Sequence, residues 1–188
     1  MAEPSKHHLP YWPLLVTLFI VLADRVSKYL AIRYLQPLGT TGVPIVGSIL
    51  RLVYLENSGV SFGQLQQFST WIALFGMVVV ASLFVGYRYL VTPSRWGNLA
   101  LGLVLGGALG NLIDRILTGV RLGLDKTYVV DFVDLRYFAV FNVADSAITV
   151  GGILYGIYLA FFYKSGAAGR EREKKEPCPP PEILPPAG

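Results

Sequence analysis

Four apolar stretches, separated by more polar connections, dominate the hydropathy pattern of this chain. They lie at about 11–35, 70–90, 97–117 and 142–163. Each is close to the ~20 residues that a helix needs to cross the hydrocarbon core of a bilayer. The pattern therefore predicts an all-α membrane protein with four transmembrane helices, which together form a single polytopic domain over residues 1–164.

The composition agrees with a membrane protein. Of the 188 residues, 53% are hydrophobic and only 15% are charged, and the surface of a soluble domain has no place for so much apolar content. Lys6 precedes the first apolar stretch as in a signal peptide, but no small-residue cleavage site follows, so we expect this stretch to be retained. The single cysteine, Cys178, cannot form an internal disulfide. The net charge of +4 is attributed to membrane topology and to anionic headgroups, not to nucleic acid binding.

The distribution of lysine and arginine predicts the orientation in the membrane. The N-terminus, the second connection with its flank and the C-terminal tail hold eight of these residues, whereas the first and third connections hold four. Positively charged connections stay on the cytoplasmic side. Both termini are therefore expected in the cytoplasm, and the first and third connections are expected on the external side.

The first and third connections are too long to be simple turns. The first contains VPIVGSILRLVYLENSGVSFG, whose β-branched and aromatic residues predict short β-strands between spans one and two, on the membrane surface. Within it, Asn57 is most simply a turn former, with Gly59 as the permissive neighbour. The third connection covers 118–141. The tail, 165–188, has no apolar period and is expected to be disordered.

Charged side chains inside the first span are informative because each costs about 2.5–3.5 kcal/mol at the centre of a membrane helix. Asp24 and Lys28 are four residues apart, so they share a helical face and can neutralise each other. The pair is compatible both with a structural ion pair and with the border of a polar cavity. Arg25 and Arg33 are expected to extend toward the outer interface.

The third span combines a glycine repeat with a polar face. Gly102, Gly106 and Gly110 recur every four residues and predict the close approach of a partner helix. One turn further on, three hydrogen-bonding side chains share a face: Asn111, Asp114 and Arg115. Polar groups inside a membrane helix indicate a functional site by default, and a purely structural network is the alternative.

The stretch FNVADSAI places a carboxylate where the last span begins. Asn142 as N-cap and Asp145 three residues later would form a capping pair, and a carboxylate is favoured at that end of a helix. Capping does not account for Asp131 and Asp134, which lie among aromatic residues just before it. One of them can be presented beside Asp145. Two carboxylates that share a site hold one proton between them, as aspartic proteases do to activate water.

Together these residues resemble the lipoprotein signal peptidase family, the bacterial signal peptidase II aspartic proteases. The resemblance covers the chain up to about Tyr163 and rests on five blocks in order: an Asp-x-x-x-Lys pair in the first span, then ENSGVSFG, GGALGNLIDR, VVDF and FNVADSAI. It implies a small external platform of β-strands over about 38–64, between spans one and two. It also implies a catalytic dyad of Asp131 and Asp145, which leaves Asp134 outside the dyad. Residues implied to border or support the site are Asn57, Gly59, Asn111, Arg115, Asn142 and Ala144, and those implied to stabilise its surroundings are Asp24, Lys28 and Asp114.

The resemblance also implies a substrate and a location. The substrate would be a diacylglyceryl-modified prolipoprotein in the bacterial cytoplasmic membrane, cut on the N-terminal side of its lipidated cysteine to release the signal peptide. Globomycin-type inhibitors would occupy the dyad. Membrane lipid would be the only other partner of an enzyme that is expected to be a monomer and to need no metal or other cofactor.

Two other functions stay open on the residues alone. A metal-dependent membrane lipid phosphotransferase would use Asp131, Asp134 and Asp145 as oxygen ligands for Mg²⁺, although the glycine and arginine that should follow DFVD are absent. A small transporter would use the polar residues of the first and third spans as a relay, although the chain shows no internal repeat.

Overall fold

The computed structural model describes residues 9–59 and 68–163. Within these ranges the protein is mostly helical, with one small sheet. Its helices and strands are α1 (Trp12–Tyr34), β1 (Val43–Val46), β2 (Leu50–Asn57), α2 (Ser69–Val85), α3 (Tyr87–Leu90), α4 (Arg95–Leu122), β3 (Val129–Leu135) and α5 (Val143–Tyr158). One compact unit ends at Tyr155, and a second begins at Gly156. The described part of the second unit holds the end of α5 and a π-helical turn, Leu159–Tyr163.

Each of the four predicted apolar stretches contains a helix. The second helix ends earlier than predicted because the helix is interrupted at Gly86, which lies between α2 and the single turn of α3. The Gly86 N–H still donates to the Ser82 carbonyl of α2. The third is longer than predicted, with 28 residues in α4. Ser94 caps its start by accepting a hydrogen bond from the Trp96 N–H at 3.2 Å. Gly123 ends it with φ 106°, a conformation that favours glycine.

Two helices within the described residues are long and apolar enough to cross a membrane: Arg95–Leu122 and the segment Val143–Phe161. The helix α2 is apolar but shorter. The helix α1 has 23 residues and carries four charged side chains in its second half. A mostly helical protein with membrane-type helices is therefore confirmed, while four crossings stay a prediction.

The sheet differs from the predicted platform. Its strand order is β1-β2-β3, with antiparallel neighbours, so a third strand from the connection 118–141 joins the two strands that lie within 38–64. Residues 60–64 of that platform lie outside the described ranges. Four successive residues of β3, 129–132, are buried, so the strand lacks the alternation of buried and exposed residues that marks a half-exposed strand. One of the four is Asp131. The pairing sets Asp131 opposite Leu55, two residues before Asn57.

The glycine repeat of α4 packs against α1, as predicted. A Cβ on Gly102 would lie 2.6 Å from the Pro13 carbonyl oxygen, and a Cβ on Gly106 would lie 2.7 Å from the Ile20 Cβ. Only glycine allows the two helices to come this close. The Thr17 hydroxyl also donates to the Gly102 carbonyl at 3.1 Å, so a hydrogen bond joins the helices at the same place.

Candidate active site

A cavity of about 260 Å³ lies between the end of β2, the start of β3 and three helices, α2, α4 and α5. All of its lining residues belong to the first compact unit. Much of the wall is apolar, with Ile72, Phe75 and Val79 of α2 on one side. The polar side chains that line it are Asn57, Asn111, Arg115, Asp131 and Asp145. The cavity thus brings together both acids of the predicted dyad and three side chains that can donate hydrogen bonds.

Asp131 is buried in β3, with 1% of its surface exposed. The Asn57 Nδ2 donates to its Oδ2 at 2.8 Å, and the Asn142 Nδ2 donates to its Oδ1 at 2.6 Å. The pKa of Asp131 is raised to about 6: burial is the largest cause and the neighbouring charge of Asp145 adds to it, while the hydrogen bonds from Asn57 and Asn142 oppose the rise. This carboxyl therefore holds a proton much more readily than an exposed aspartate does.

Asp145 lies in the first turn of α5 and makes the capping pair that the sequence predicts. Its Oδ2 accepts a hydrogen bond from the Asn142 N–H at 3.2 Å, and its own N–H donates to the Asn142 Oδ1 at 2.9 Å. Its Oδ1 accepts from the Asn111 Nδ2 at 2.7 Å. Asn142 consequently bonds to both acids, with its side-chain amide on Asp131 and its backbone N–H on Asp145.

Asn57 both forms a local turn and borders the cavity. Its Oδ1 accepts a hydrogen bond from the Gly59 N–H at 3.2 Å, which is the local turn expected from ENSGVSF. Its Nδ2 is then free to donate to Asp131. The turn therefore orients the amide that contacts the acid, and Gly59 contributes through its backbone.

A buried group of charges lies beside the cavity and forms what we call the ion cluster: Asp24, Arg25, Lys28 and Asp114. The Lys28 Nζ is 2.8 Å from the Asp24 Oδ2 and 2.8 Å from the Asp114 Oδ2. The predicted pairing of Asp24 with Lys28 is confirmed, and both side chains are fully buried. Asp114 shares a helical face with Asn111 and Arg115, which line the cavity, but its own carboxylate lies in the ion cluster.

Arg25 is a correction to the sequence analysis. The prediction that Arg25 extends toward the outer interface is wrong. The Arg25 Nη2 lies 2.6 Å from the Asp114 Oδ1, and the Arg25 side chain is only 27% exposed. An acid on the facing helix gives it a partner inside the protein, and no property of the first span alone reveals that acid. Arg33 is exposed near the end of α1, and its extension toward the outer interface stays a prediction.

Ala144 and Arg115 take different places around the cavity. Ala144 is fully buried and does not line it, and a Cβ on Gly107 would lie 2.3 Å from its carbonyl oxygen. Its contribution is the tight packing of the start of α5 on α4. Arg115 does line the cavity, and its buried Nη1 has no hydrogen-bond partner among the described residues. A buried donor without a partner is costly, and a group that enters the cavity could satisfy it.

Asp134 does not join the two acids. It follows Asp131 by three positions, so its side chain leaves the opposite face of β3, and its cross-strand neighbour is Arg51. Within the two described ranges, no group of three or more His, Cys, Asp or Glu side chains could hold a metal ion. The three acids required by the phosphotransferase alternative are therefore not gathered in one place.

The sequence does not predict that α2 contributes to the cavity. Ile72, Phe75, Gly76 and Val79 form part of the wall, but α2 is apolar on all sides, so its sequence does not indicate which face is turned inward.

Comparisons with known proteins agree on one family. The family model described as Signal peptidase (SPase) II matches residues 16–161. A lipoprotein signal peptidase of Caldanaerobacter subterraneus subsp. tengcongensis is 42% identical over 149 residues, which cover 79% of this chain and 95% of the relative. One from Moorella thermoacetica is 38% identical over 158 residues, covering 84% and 97%.

Solved structures of membrane enzymes share the fold. Two structures, each described as a bacterial membrane enzyme, superpose with TM-scores of 0.68 and 0.69 at 26% and 27% identity. The first covers 89% of this chain and 94% of the solved chain, and the second covers 85% and 99%. The match of the family model over most of the chain and the high coverage of the relatives lead to one conclusion: this chain belongs to the signal peptidase II family.

Proposed function

We propose that this protein is an aspartic endopeptidase that removes the signal peptide from prolipoproteins, with Asp131 and Asp145 as its catalytic dyad. The observation that carries the proposal is that both carboxylates line one largely apolar cavity and bond to the same residue, Asn142. Membership of a peptidase family whose relatives are named lipoprotein signal peptidases supports the reaction.

The two acids have different parts in the proposed mechanism. Asp131, whose pKa is raised to about 6 by burial, holds the proton. Asp145 acts as the general base, from its place in the first turn of α5. Asp145 takes a proton from a water molecule between the acids, and the water oxygen attacks the carbonyl carbon while Asp131 gives its proton to the carbonyl oxygen. The tetrahedral diol collapses when Asp145 passes its proton to the amide nitrogen and Asp131 takes a proton back from a diol hydroxyl, and the peptide C–N bond breaks.

The lining of the cavity supports an apolar substrate. The α2 side chains Ile72, Phe75 and Val79 lie on the wall that the two acids share, as suits a peptide attached to acyl chains. We propose that the substrate is a diacylglyceryl-modified prolipoprotein, cut before its lipidated cysteine, and that globomycin-type inhibitors compete for this cavity. Arg115 is proposed to use its unpartnered Nη1 to bind a substrate carbonyl.

The proposed setting is the bacterial cytoplasmic membrane. Residues 1–164 would form a monomeric four-span domain with the cavity toward the external face and both termini in the cytoplasm. The predicted tail, 165–188, lies outside the described residues. The excess of lysine and arginine at the termini and in the second connection supports this orientation.

Replacing either acid by its amide tests the dyad. We expect Asp131→Asn and Asp145→Asn each to lower kcat by about 10²–10⁴-fold or more, because each removes one half of the acid–base pair. The measurement is cleavage of lipidated prolipoprotein by the purified enzyme, with and without a chelator. Activity that disappears with the chelator would instead favour a metal-dependent reaction.

Asp134→Asn is the matched control, since it removes an acid from the same strand on the opposite face. It should keep kcat within about threefold of the unmodified enzyme, in line with other surface substitutions. Full activity in either dyad variant, or complete inactivity of the control, would contradict the assignment.

A further inference from the structure

The geometry points to Lys28 as a positioning residue that sets the distance between Asp131 and Asp145, and we propose this role for it. The inference rests on the proposed function, because it concerns the same two acids. Lys28 touches neither of them. It acts through two buried carboxylates, each of which binds the backbone N–H that immediately precedes one member of the dyad.

The first connection runs through Asp24 to α5. The Asp24 Oδ1 accepts a hydrogen bond from the Ala144 N–H at 3.1 Å, and Ala144 immediately precedes Asp145. The space for this carboxylate depends on α4, since a Cβ on Gly110 would lie 2.7 Å from the Asp24 Oδ2. Asp24 therefore fixes the place at which the chain enters α5 and presents Asp145.

The second connection runs through Asp114 to β3. The Asp114 Oδ2 accepts a hydrogen bond from the Val130 N–H at 3.4 Å, and Val130 immediately precedes Asp131. The other oxygen of Asp114 lies against Arg25. The two connections follow the same pattern. In each, a buried acid of the ion cluster accepts a hydrogen bond from the backbone N–H of the residue just before one acid of the dyad.

Lys28 is the group that joins the two connections. Its ammonium is 2.8 Å from Asp24 and 2.8 Å from Asp114, so it fixes the separation of the two acids and, through them, of β3 and α5. A purely structural ion pair would need only one partner. Buried ion pairs also contribute little net stability compared with apolar residues of the same shape, so stability alone is a weak reason for this arrangement.

A third contact of Lys28 orients a side chain of the cavity. The ammonium donates to the Asn111 Oδ1 at 3.0 Å, and the Asn111 Nδ2 donates to the Asp145 Oδ1 at 2.7 Å. An ammonium group has no acceptor. The amide oxygen of Asn111 must therefore face Lys28, and its NH₂ group must face Asp145, which would lose its donor if the amide turned over.

The test is the variant Lys28→Met, assayed with lipidated prolipoprotein. We expect kcat to fall about 100-fold, since a misplacement of about 1 Å has that effect on catalysis. KM should stay within about threefold, because Lys28 does not line the cavity and a positioning residue acts on the reacting groups more than on substrate binding.

Arg25→Met is the matched control. Arg25 pairs with the same acid, Asp114, but no hydrogen bond or ion pair joins it to Asp24 or Asn111 among the described residues. It should lower kcat by no more than about threefold, since it leaves the connection between the two acids intact. An equal loss of kcat in both variants would overturn the inference. The loss would then follow from removing either cation of the cluster, not from removing the bridge between Asp24 and Asp114 that Lys28 makes.

A double variant separates positioning from simple loss of stability. Asp24→Asn/Lys28→Met leaves no unpaired charge, and the new amide oxygen can still accept from Ala144. We expect its thermal stability to return close to that of the unmodified enzyme while kcat stays low. Recovery of kcat together with stability would overturn the inference, and so would a protein that unfolds in both forms, because the requirement would then be structural.

The outcome can be separated from that of the dyad itself. Activity in Asp131→Asn or Asp145→Asn would refute the proposed function whatever Lys28 does. Inactive dyad variants together with a Lys28→Met enzyme that keeps its kcat would overturn only the positioning role.

Discussion

Amide side chains, not cations, hold the two acids at the centre of the site. Asn57 and Asn142 donate to Asp131, and Asn111 donates to Asp145. A neutral donor favours the ionised form less than a direct ion pair does. With amide donors as its direct partners, buried Asp131 has a pKa of about 6. It can therefore hold a proton more readily than an aspartate that is paired directly with lysine.

The pH dependence of the reaction should follow Asp131. The proposed mechanism needs this side chain protonated, so kcat/KM should fall as the pH rises through about 6. In Asn57→Ala the carboxylate loses a donor that favours its ionised form, so its pKa should rise. The alkaline limb of the profile should therefore move to higher pH, as measured by cleavage rates on both sides of that value. A limb that stays in place or moves to lower pH would contradict this account.

The sequence identifies most of the polar residues of the site but not their partners. Spacing alone left Asp131 and Asp134 equivalent, and the resemblance to a family favoured Asp131. The structure adds the register of β3, which puts the two acids on opposite faces. The partner of Arg25 depends on a contact between α1 and α4, and such contacts between distant segments cannot be read from local pattern.

At the scale of elements, α4 is the scaffold on which the site is built. Gly102 and Gly106 allow α1 to pack closely on α4. Gly107 leaves space for the start of α5, and Gly110 leaves space for the Asp24 side chain. The four-residue repeat made the first contact predictable. Gly107 falls outside the repeat, so its role became apparent only from the packing.

Gly106→Ala should destabilise the protein by about 1–3 kcal/mol, because the new methyl group would overlap the Ile20 side chain of α1 in a tightly packed contact. Thermal unfolding in detergent measures the effect.

Gly152→Ala in α5 is the control for that substitution, since a Cβ there has nothing within 4 Å. It should be neutral or stabilising by up to about 1 kcal/mol, because alanine favours the helix more than glycine does. Equal destabilisation by both changes would rule out close packing as the reason for Gly106.

At the scale of the molecule, the usual placement of polar and apolar residues is reversed. Large apolar side chains such as Leu15, Val78 and Ile153 are exposed on three different helices, by 66%, 63% and 59%, whereas the charges of the ion cluster are largely inside. Such a surface suits a bilayer. Composition and hydropathy predict this arrangement, but they do not determine how many helices cross.

The orientation can be tested with thiol labelling, since Cys178 is the only cysteine of the chain. We expect a membrane-impermeant maleimide to reach Cys178 only after cells are permeabilised. In a Ser48→Cys/Cys178→Ser variant, the label should react in intact cells, because Ser48 is exposed in the turn between β1 and β2, on the proposed external side. The opposite pattern of labelling would invert the proposed topology.

The wide spacing of the site along the chain has a consequence for biosynthesis. Lys28, Asp131 and Asp145 come from α1, β3 and α5. A ribosome-bound chain in which α5 has not yet emerged has Lys28 but lacks one acid of the proposed dyad. We therefore expect hydrolysis to begin only after α5 has been synthesised, so that a partly made chain cannot cut proteins in the membrane around it.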